Sequence, residues 1–258
     1  MPVQEGAGTM LWYKMWRDSR ARFLISALVL TGICAAVVLF EETFRGQLHA
    51  KSAPLNTYIG YIYQRIYAGF ARGMFLIFAL VLGLGGLQRE RAHGSAGFTL
   101  ALPISRLRLM IVRTAIGLLE ILALSLLPVV LIPVLSRFVG ESYPLPQALQ
   151  FCVLWIGIGS AVFAFAFLSS AIFASEYSAL AVSVVAFFLY PMVARLPWLR
   201  PYPLHIHYIM NGSGMPYFNP RTDLLIGPLP WAILAVIAMV VLGLITSATL
   251  ITQKQDFS

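Results

Sequence analysis

The sequence predicts an all-α integral membrane protein, and three observations carry that expectation. Only 11% of the 258 residues are charged, 59% are hydrophobic, and the mean hydropathy is +0.82. A soluble domain carries about a quarter charged residues. Apolar runs recur along the chain, several near or above the roughly 20 residues that a helix needs to cross the hydrocarbon core. Continuous runs argue against a barrel, whose strands alternate apolar and polar positions. Six transmembrane helices are expected, at 23–40, 70–87, 109–135, 149–174, 179–194 and 229–252, so that residues 1–258 form a single transmembrane domain.

Each element has its own reason. Residues 10–22 place Leu11, Trp12, Met15 and Trp16 on one helical face and Lys14, Arg17 and Asp18 on the other. That pattern suits an N-terminal interfacial helix with its tryptophans at headgroup depth. The run at 23–40 is long for a signal peptide, and Glu41-Glu42 after it lacks a small-residue cleavage pattern, so it is read as an uncleaved anchor. In the tyrosine-rich stretch that follows, Ile59, Ile62, Tyr63 and Ile66 share a face suited to a helix at the outer interface. The run at 70–87 ends in Gly83, Gly85 and Gly86, and Pro128 and Pro133 are expected to kink the far end of 109–135. Arg137, Glu141, Pro144 and Pro146 mark a short loop, and Glu176-Tyr177 a tight turn. Ala166, Ser170 and Ala174 recur every four residues within 149–174, a stripe that permits close helix packing. The segment 195–227 mixes five prolines with aromatic residues and is expected to be an irregular extracellular segment of short or re-entrant helices.

The net charge of +8 is mostly arginine, 15 of the 18 basic residues. In a membrane protein an excess of base belongs chiefly to cytoplasmic loops, so nucleic acid is the weaker reading. With both termini inside, ten of the 18 bases fall on the three inner segments, and the remaining eight are spread over much longer outer ones. The expected topology is therefore multi-pass in the cell (inner) membrane with both termini cytoplasmic.

No phosphate-binding GxxxxGK[ST] loop surrounds Lys14, Lys51 or Lys254, so the chain is not expected to hydrolyse ATP itself. Cys34 and Cys152 both fall in apolar runs, which disfavours a metal site or a disulfide framework. His49, His93, His205 and His207 all fall in expected loops, where haem ligation between spans would not find them. No metal is expected either, because the His205-Ile206-His207 pair has no acidic or cysteine companion. Gly157-Ile158-Gly159-Ser160 lacks the histidine that a serine-protease loop needs, and is read as a packing surface. Glu120 is the exceptional residue. Eleven residues beyond Leu109 at 1.5 Å each, it lies about 16 Å deep, where a carboxyl needs a partner or a watery path. It is the candidate residue for a translocation path.

One internal stretch interrupts the apolar pattern most sharply. Residues 88–108 carry Arg89, Glu90, Arg91, His93, Arg106 and Arg108 around a small apolar core of Phe98, Leu100, Ala101 and Leu102. Apolar anchors with a charged rim are the usual make-up of a docking surface. Pro103 would stop a loop helix, and Ser105 would cap the next span.

Glu90, then Gly94-Ser95, then Leu102-Pro103-Ile104-Ser105-Arg106 resembles the first cytoplasmic loop of ABC transporter type-2 permeases, commonly E-x-x-x-G-[ST]-x-x-x-L-L-x-x-P-[IV]-[ST]-R. The layout is similar as well, from the amphipathic start to the closing Gln253-Lys254-Gln255-Asp256. Phe98-Thr99-Leu100-Ala101-Leu102 departs from the pattern in being less leucine-rich. The resemblance implies that residues 88–108 form a cytoplasmic coupling helix seated on a separate ATP-binding subunit. Its contacts would come from Arg89, Glu90, Arg91, Gly94, Ser95, Phe98, Leu102, Pro103, Ser105 and Arg106. It further implies two copies of that subunit, which hold the ATP and Mg, and a second permease chain, identical or paralogous. This chain would carry no cofactor. Two alternatives stand beside it: a polytopic enzyme acting on lipid through Glu120, His205 and His207, and a scaffold subunit without a path.

Overall fold

The computed structural model describes residues 3–44, 57–84, 105–173, 175–197, 205–213 and 217–254. They fold into a helical bundle. The order is α1 (Val3–Leu39), α2 (Tyr58–Ile62) running into a π-helical turn (Tyr63–Tyr67), α3 (Phe70–Gly83), α4 (Arg106–Ser136), and a 3-10 turn (Arg137–Val139). Then come α5 (Leu145–Ile172), α6 (Glu176–Val193), α7 (Ile206–Met210), the strands β1 (Phe218–Asn219) and β2 (Leu224–Leu225), and α8 (Trp231–Lys254). Among the described residues five helices are long and apolar enough to cross a membrane: Met10–Leu39, Tyr58–Gly83, Leu107–Val139, Leu145–Ile172 and Trp231–Lys254. The stretch expected to be the fifth of six spans forms the shorter apolar helix α6.

Helix α5 is the hub, packing on α3, α4, α6 and α8. Lipid is as apolar as leucine, so what holds helices together in a bilayer is close van der Waals fit and not burial from water. Two glycines supply that fit. A Cβ on Gly83 would stand 2.4 Å from the Phe163 carbonyl oxygen and 2.8 Å from Ala166 Cβ, so α3 crosses α5 backbone to backbone. A Cβ on Gly159 would meet the Phe75 ring at 2.8 Å and Ile121 at 3.1 Å. The glycine pair at 157 and 159 is thus the packing surface expected. Ala166 and Ser170 of the small-residue stripe are buried, and Ala174 lies outside the described residues.

Several elements differ from expectation. The interfacial helix at 10–22 is continuous with the following span, because no glycine or proline interrupts the chain from Met10 to Phe23. Its Leu11 and Met15 bury themselves against Val112 and Ile116 of α4, while Trp12 and Trp16 of the same apolar face stay exposed. The tyrosine-rich segment is helical, but Tyr58, Tyr61, Tyr63, Ile66 and Tyr67 enter the core. Tyr67 stacks on Phe151 at 4.1 Å, and Phe75 tilts against Trp155 at 4.7 Å. The π turn, closed by Ala68 N–H donating to the Tyr63 carbonyl at 2.7 Å, links α2 to α3. Pro144 and Pro146, read as loop residues, begin α5 instead, since a first-turn proline loses no helical hydrogen bond. Ser175 caps α6, and Glu176 is its first residue instead of a turn. Pro128 and Pro133 lie inside α4, which stays helical through both. Within 195–227 the described residues form one short helix and a two-stranded antiparallel hairpin, Phe218 pairing with Leu225 and Asn219 with Leu224.

Candidate functional site

In sequence the basic loop follows the end of α3 and precedes the start of α4, and both flanking joints are built. The last carbonyls of a helix lack intrahelical donors. At the end of α3 the Arg22 guanidinium of α1 supplies them, donating through Nη1 to the carbonyls of Val81, at 3.3 Å, and Leu84. A cation is favoured at a helix C-terminus by the macrodipole as well. At the re-entry, the Ser105 hydroxyl accepts from Arg108 N–H at 3.3 Å and caps α4, as its position after Pro103 suggests. Arg108 is exposed there, and Leu109 and Met110 turn into the core. Of the proposed coupling residues, Arg89, Glu90, Arg91, Gly94, Ser95, Phe98, Leu102 and Pro103 lie outside the described residues. Arg106 opens the α4 helix.

Glu120 is buried, at 3% exposure, between α1 and α4. Its Oε1 has no hydrogen-bond partner. The Ser19 hydroxyl, which donates to the carbonyls of Met15 and Trp16, stands beside the carboxyl, and Arg22 and Arg113 act on it electrostatically. Beside it lies a cavity of about 410 Å³ with an almost wholly apolar lining, walled by Trp12, Tyr13, Trp16 and Phe23 of α1 and by Ile116 of α4. Arg22 therefore stands at the junction of two features, the exit of the basic loop and the buried acid. By sequence Arg22 is one base among those of the first inner segment. Its distance of 59 residues from Val81 left no local signal of the contact.

The histidine pair belongs to the other end of the bundle. Arg72, in the first turn of α3, donates through Nη1 to the His207 carbonyl at 3.2 Å. His207 packs edge-on to Phe187 at 6.0 Å, and His205 lies 5.0 Å from the Tyr208 ring. Burial, and after it the charges of Arg72 and His205, holds the His207 imidazole below its ordinary pKa. Burial likewise raises the carboxyl of Asp223, whose left-handed backbone at φ 53° ends the hairpin turn. His207 sits by the first turn of α3, whereas the α1 segment facing Glu120 reaches the last turn of α3 through Arg22. The three residues of the lipid-enzyme alternative are thus not brought together. Among the described residues no group of three histidine, cysteine or acidic side chains is placed to hold a metal, and Cys34 and Cys152 are buried as free thiols.

No protein-family model matches the chain, and no curated protein matches it.

Proposed function

We propose that the chain is the permease subunit of an ATP-driven, ABC exporter-like transporter. It forms a translocation path with a second permease chain and is coupled through residues 88–108 to a separate ATP-binding subunit present in two copies. In this reading six spans place both termini in the cytoplasm, α6 being the short span, and Glu120 is the intramembrane residue assigned to the path.

The observation that carries the reading is the motif running from Glu90 through Gly94-Ser95 to Pro103-Ile104-Ser105-Arg106, placed between two apolar helices. The anchoring of both joints supports it. A loop that transmits force needs firm ends, and the Arg22 clamp at Leu84 and the Ser105 cap on α4 provide them. Movement of ATP-binding subunits against 88–108 would then reach α3 and α4 directly, and α1 through Arg22. The chain supplies the lever and the path, and the partner supplies the hydrolysis.

The test is reconstitution. The chain is placed in proteoliposomes with the ATP-binding protein that co-purifies with it from native membranes, and ATP turnover is followed. The proposal expects an ATPase rate that depends on the presence of the permease chain and falls several-fold when Glu90 is replaced by Lys. Turnover indifferent to the permease would overturn it. So would a lipid-converting activity of the purified chain alone.

A further inference from the structure

At the end of α4 farthest from the basic loop, a second cavity, of about 450 Å³, is walled by Val130, Pro133 and Val134 of α4 and by Leu145 of α5. Arg137 and Ser142 line it as well. We propose that it seats an anionic phospholipid, with the phosphate of the head on Arg137 and Ser142 and an acyl chain along the apolar wall.

The polar end of the cavity is uncommitted. The Arg137 guanidinium and the Ser142 hydroxyl make no hydrogen bond or ion pair with any described residue, and both residues are exposed. Three other arginines are used by the bundle itself: Arg22 donates to the carbonyls of Val81 and Leu84, Arg65 to that of Phe44, and Arg72 to that of His207. Arg137 follows the last residue of α4, where free carbonyls would accept its donors, yet its side chain lines the cavity instead. Glu141, four residues on, forms no ion pair with it. A guanidinium presents its N–H donors as a planar fork that phosphate oxygens match, and the serine adds a hydroxyl.

The position fits a lipid better than a soluble anion. The stretch Leu107–Val139 is long and apolar enough to cross a membrane and ends just beyond Arg137, which puts the guanidinium at headgroup depth. Val130 and Val134 precede Arg137 at helical spacing, so they share its face, and both are exposed. A chain running inward from a phosphate on Arg137 would lie along them, with Leu145 on its other side. A soluble phosphate would leave that wall bare, and a zwitterionic head would bring its own cation against the arginine. The volume falls within the roughly 300–1,000 Å³ usual for small-ligand sites. The groove is also preformed. Gly140, at φ 76°, and the Glu141 N–H, donating to the Ser136 carbonyl at 3.0 Å, fold the turn back on α4. Tyr143 is buried behind it, stacked on Tyr67 at 6.1 Å, so Ser142 and Leu145 are held in place. The site uses neither the basic loop nor an ATP-binding partner, so its test is separate from that of transport.

The experiment measures lipid binding to the purified full chain, in dodecyl maltoside, by native mass spectrometry. The probes are dioleoylphosphatidylglycerol and, separately, dioleoylphosphatidylcholine, which share the same tails. The expected result is a first lipid bound about fivefold more tightly for the glycerol head, the effect of one base near an anionic membrane surface, and loss of that preference in Arg137→Gln. Arg221→Gln removes the same charge from an exposed residue outside the cavity and should keep the preference. Val134→Trp fills the groove without changing charge and should weaken phosphatidylglycerol binding several-fold. Equal binding of the two lipids by the wild type would overturn the proposal, as would an undiminished preference in R137Q or an unchanged affinity in V134W. The lipid comparison uses the wild type alone, so equal binding decides the matter even if a variant misfolds. Glycerol 3-phosphate, the head without tails, should leave the bound lipid in place. Its displacing the lipid at equal concentration would assign the site to a soluble phosphate and overturn the lipid assignment.

Discussion

The Arg22 guanidinium donates to the carbonyl of Leu84, tying the middle of the first helix to the residue from which the basic loop departs. The same nitrogen reaches the carbonyl of Val81, so one side chain satisfies two of the carbonyls that α3 leaves without intrahelical donors. Hydrogen bonds from a charged donor contribute about 1.5–3 kcal/mol each where they are shielded from water. Arg22 is only half-buried and both bonds use one nitrogen, so replacing it by Ala is expected to cost less than two shielded bonds, about 1–3 kcal/mol. The replacement should also speed amide exchange at Leu82–Leu84 while leaving exchange in the middle of α5 unchanged. Thermal unfolding in detergent and hydrogen exchange read the two effects separately. An unchanged exchange rate at the end of α3 would show that the clamp does not hold it.

The crossing of α3 and α5 makes a graded prediction about glycine. Gly83→Ala puts a methyl 2.4 Å from a backbone oxygen, which can move only if the helices part. Gly159→Ala meets a phenylalanine ring at 2.8 Å, and a ring can tilt away. Overpacking costs about 1–3 kcal/mol. The Gly83 variant should reach the upper part of that range, the Gly159 variant the lower part, and Gly73→Ala, with nothing within 4 Å, none of it. Melting temperatures of the three variants in one detergent give the order.

Sequence made the helices legible and left their surroundings obscure. Apolar runs locate α3, α4, α5 and α8 to within a few residues because hydropathy is a local property. From Phe23 onward in α1, and in α6 and α8, the exposed sides are as apolar as the buried ones, so no periodicity tells which face enters the core. For the same reason Ile62, Tyr63 and Ile66 read as the face of an interfacial helix, although each is buried. Tyr61 donates to the Val37 carbonyl at 2.7 Å and Tyr58 meets Ser136 at 2.6 Å, contacts between segments far apart in the chain. The buried acid was legible because charge within an apolar run is rare. The aromatic cavity beside it was not, because its walls come from two helices almost a hundred residues apart. The loop motif is a pattern of residue types at fixed spacing, which needs no structure to be read.

Tyr58 and Ser136 also allow a direction to be assigned to their hydrogen bond. Ser136 Oγ lies 2.6 Å from the Ile132 carbonyl and donates there, so the Tyr58 hydroxyl must donate to Ser136. Tyr58→Phe should cost about 0.5–1.5 kcal/mol, the net value of such a bond. Ser136→Ala removes the same bond and should cost a comparable amount. A double-mutant cycle on thermal stability measures the coupling, and additive losses would mean that the two groups are not bonded.

His207 predicts an acid-side loss of stability. Its folded pKa lies below the ordinary value of 6.5, so the folded state favours the neutral ring. A depressed pKa gives a contribution that is fully present above about 6.5 and is lost as pH falls below it, when the unfolded chain takes up the proton first. Asp223, whose pKa is raised by burial, acts in the opposite sense, gaining relative stability as pH falls toward its ordinary 3.8. The two are separated by His207→Gln. That variant should flatten the decline between pH 7 and pH 5 in a series of melts, and a slope equal to that of the wild type would remove His207 as its source.

The most direct measurement of the transport reading bears on the loop itself. Phe98 and Leu102 are proposed as the apolar contacts with the ATP-binding subunit, and neither is assigned any part in holding the bundle together. The double variant Phe98→Asp, Leu102→Asp is expressed with the native partner, and pull-down is compared with that of the wild type beside a melting curve of the isolated chain. Loss of the ATP-binding subunit with an unchanged melt is the expected result. A full complement of that subunit on the folded double variant would contradict the coupling role of residues 88–108.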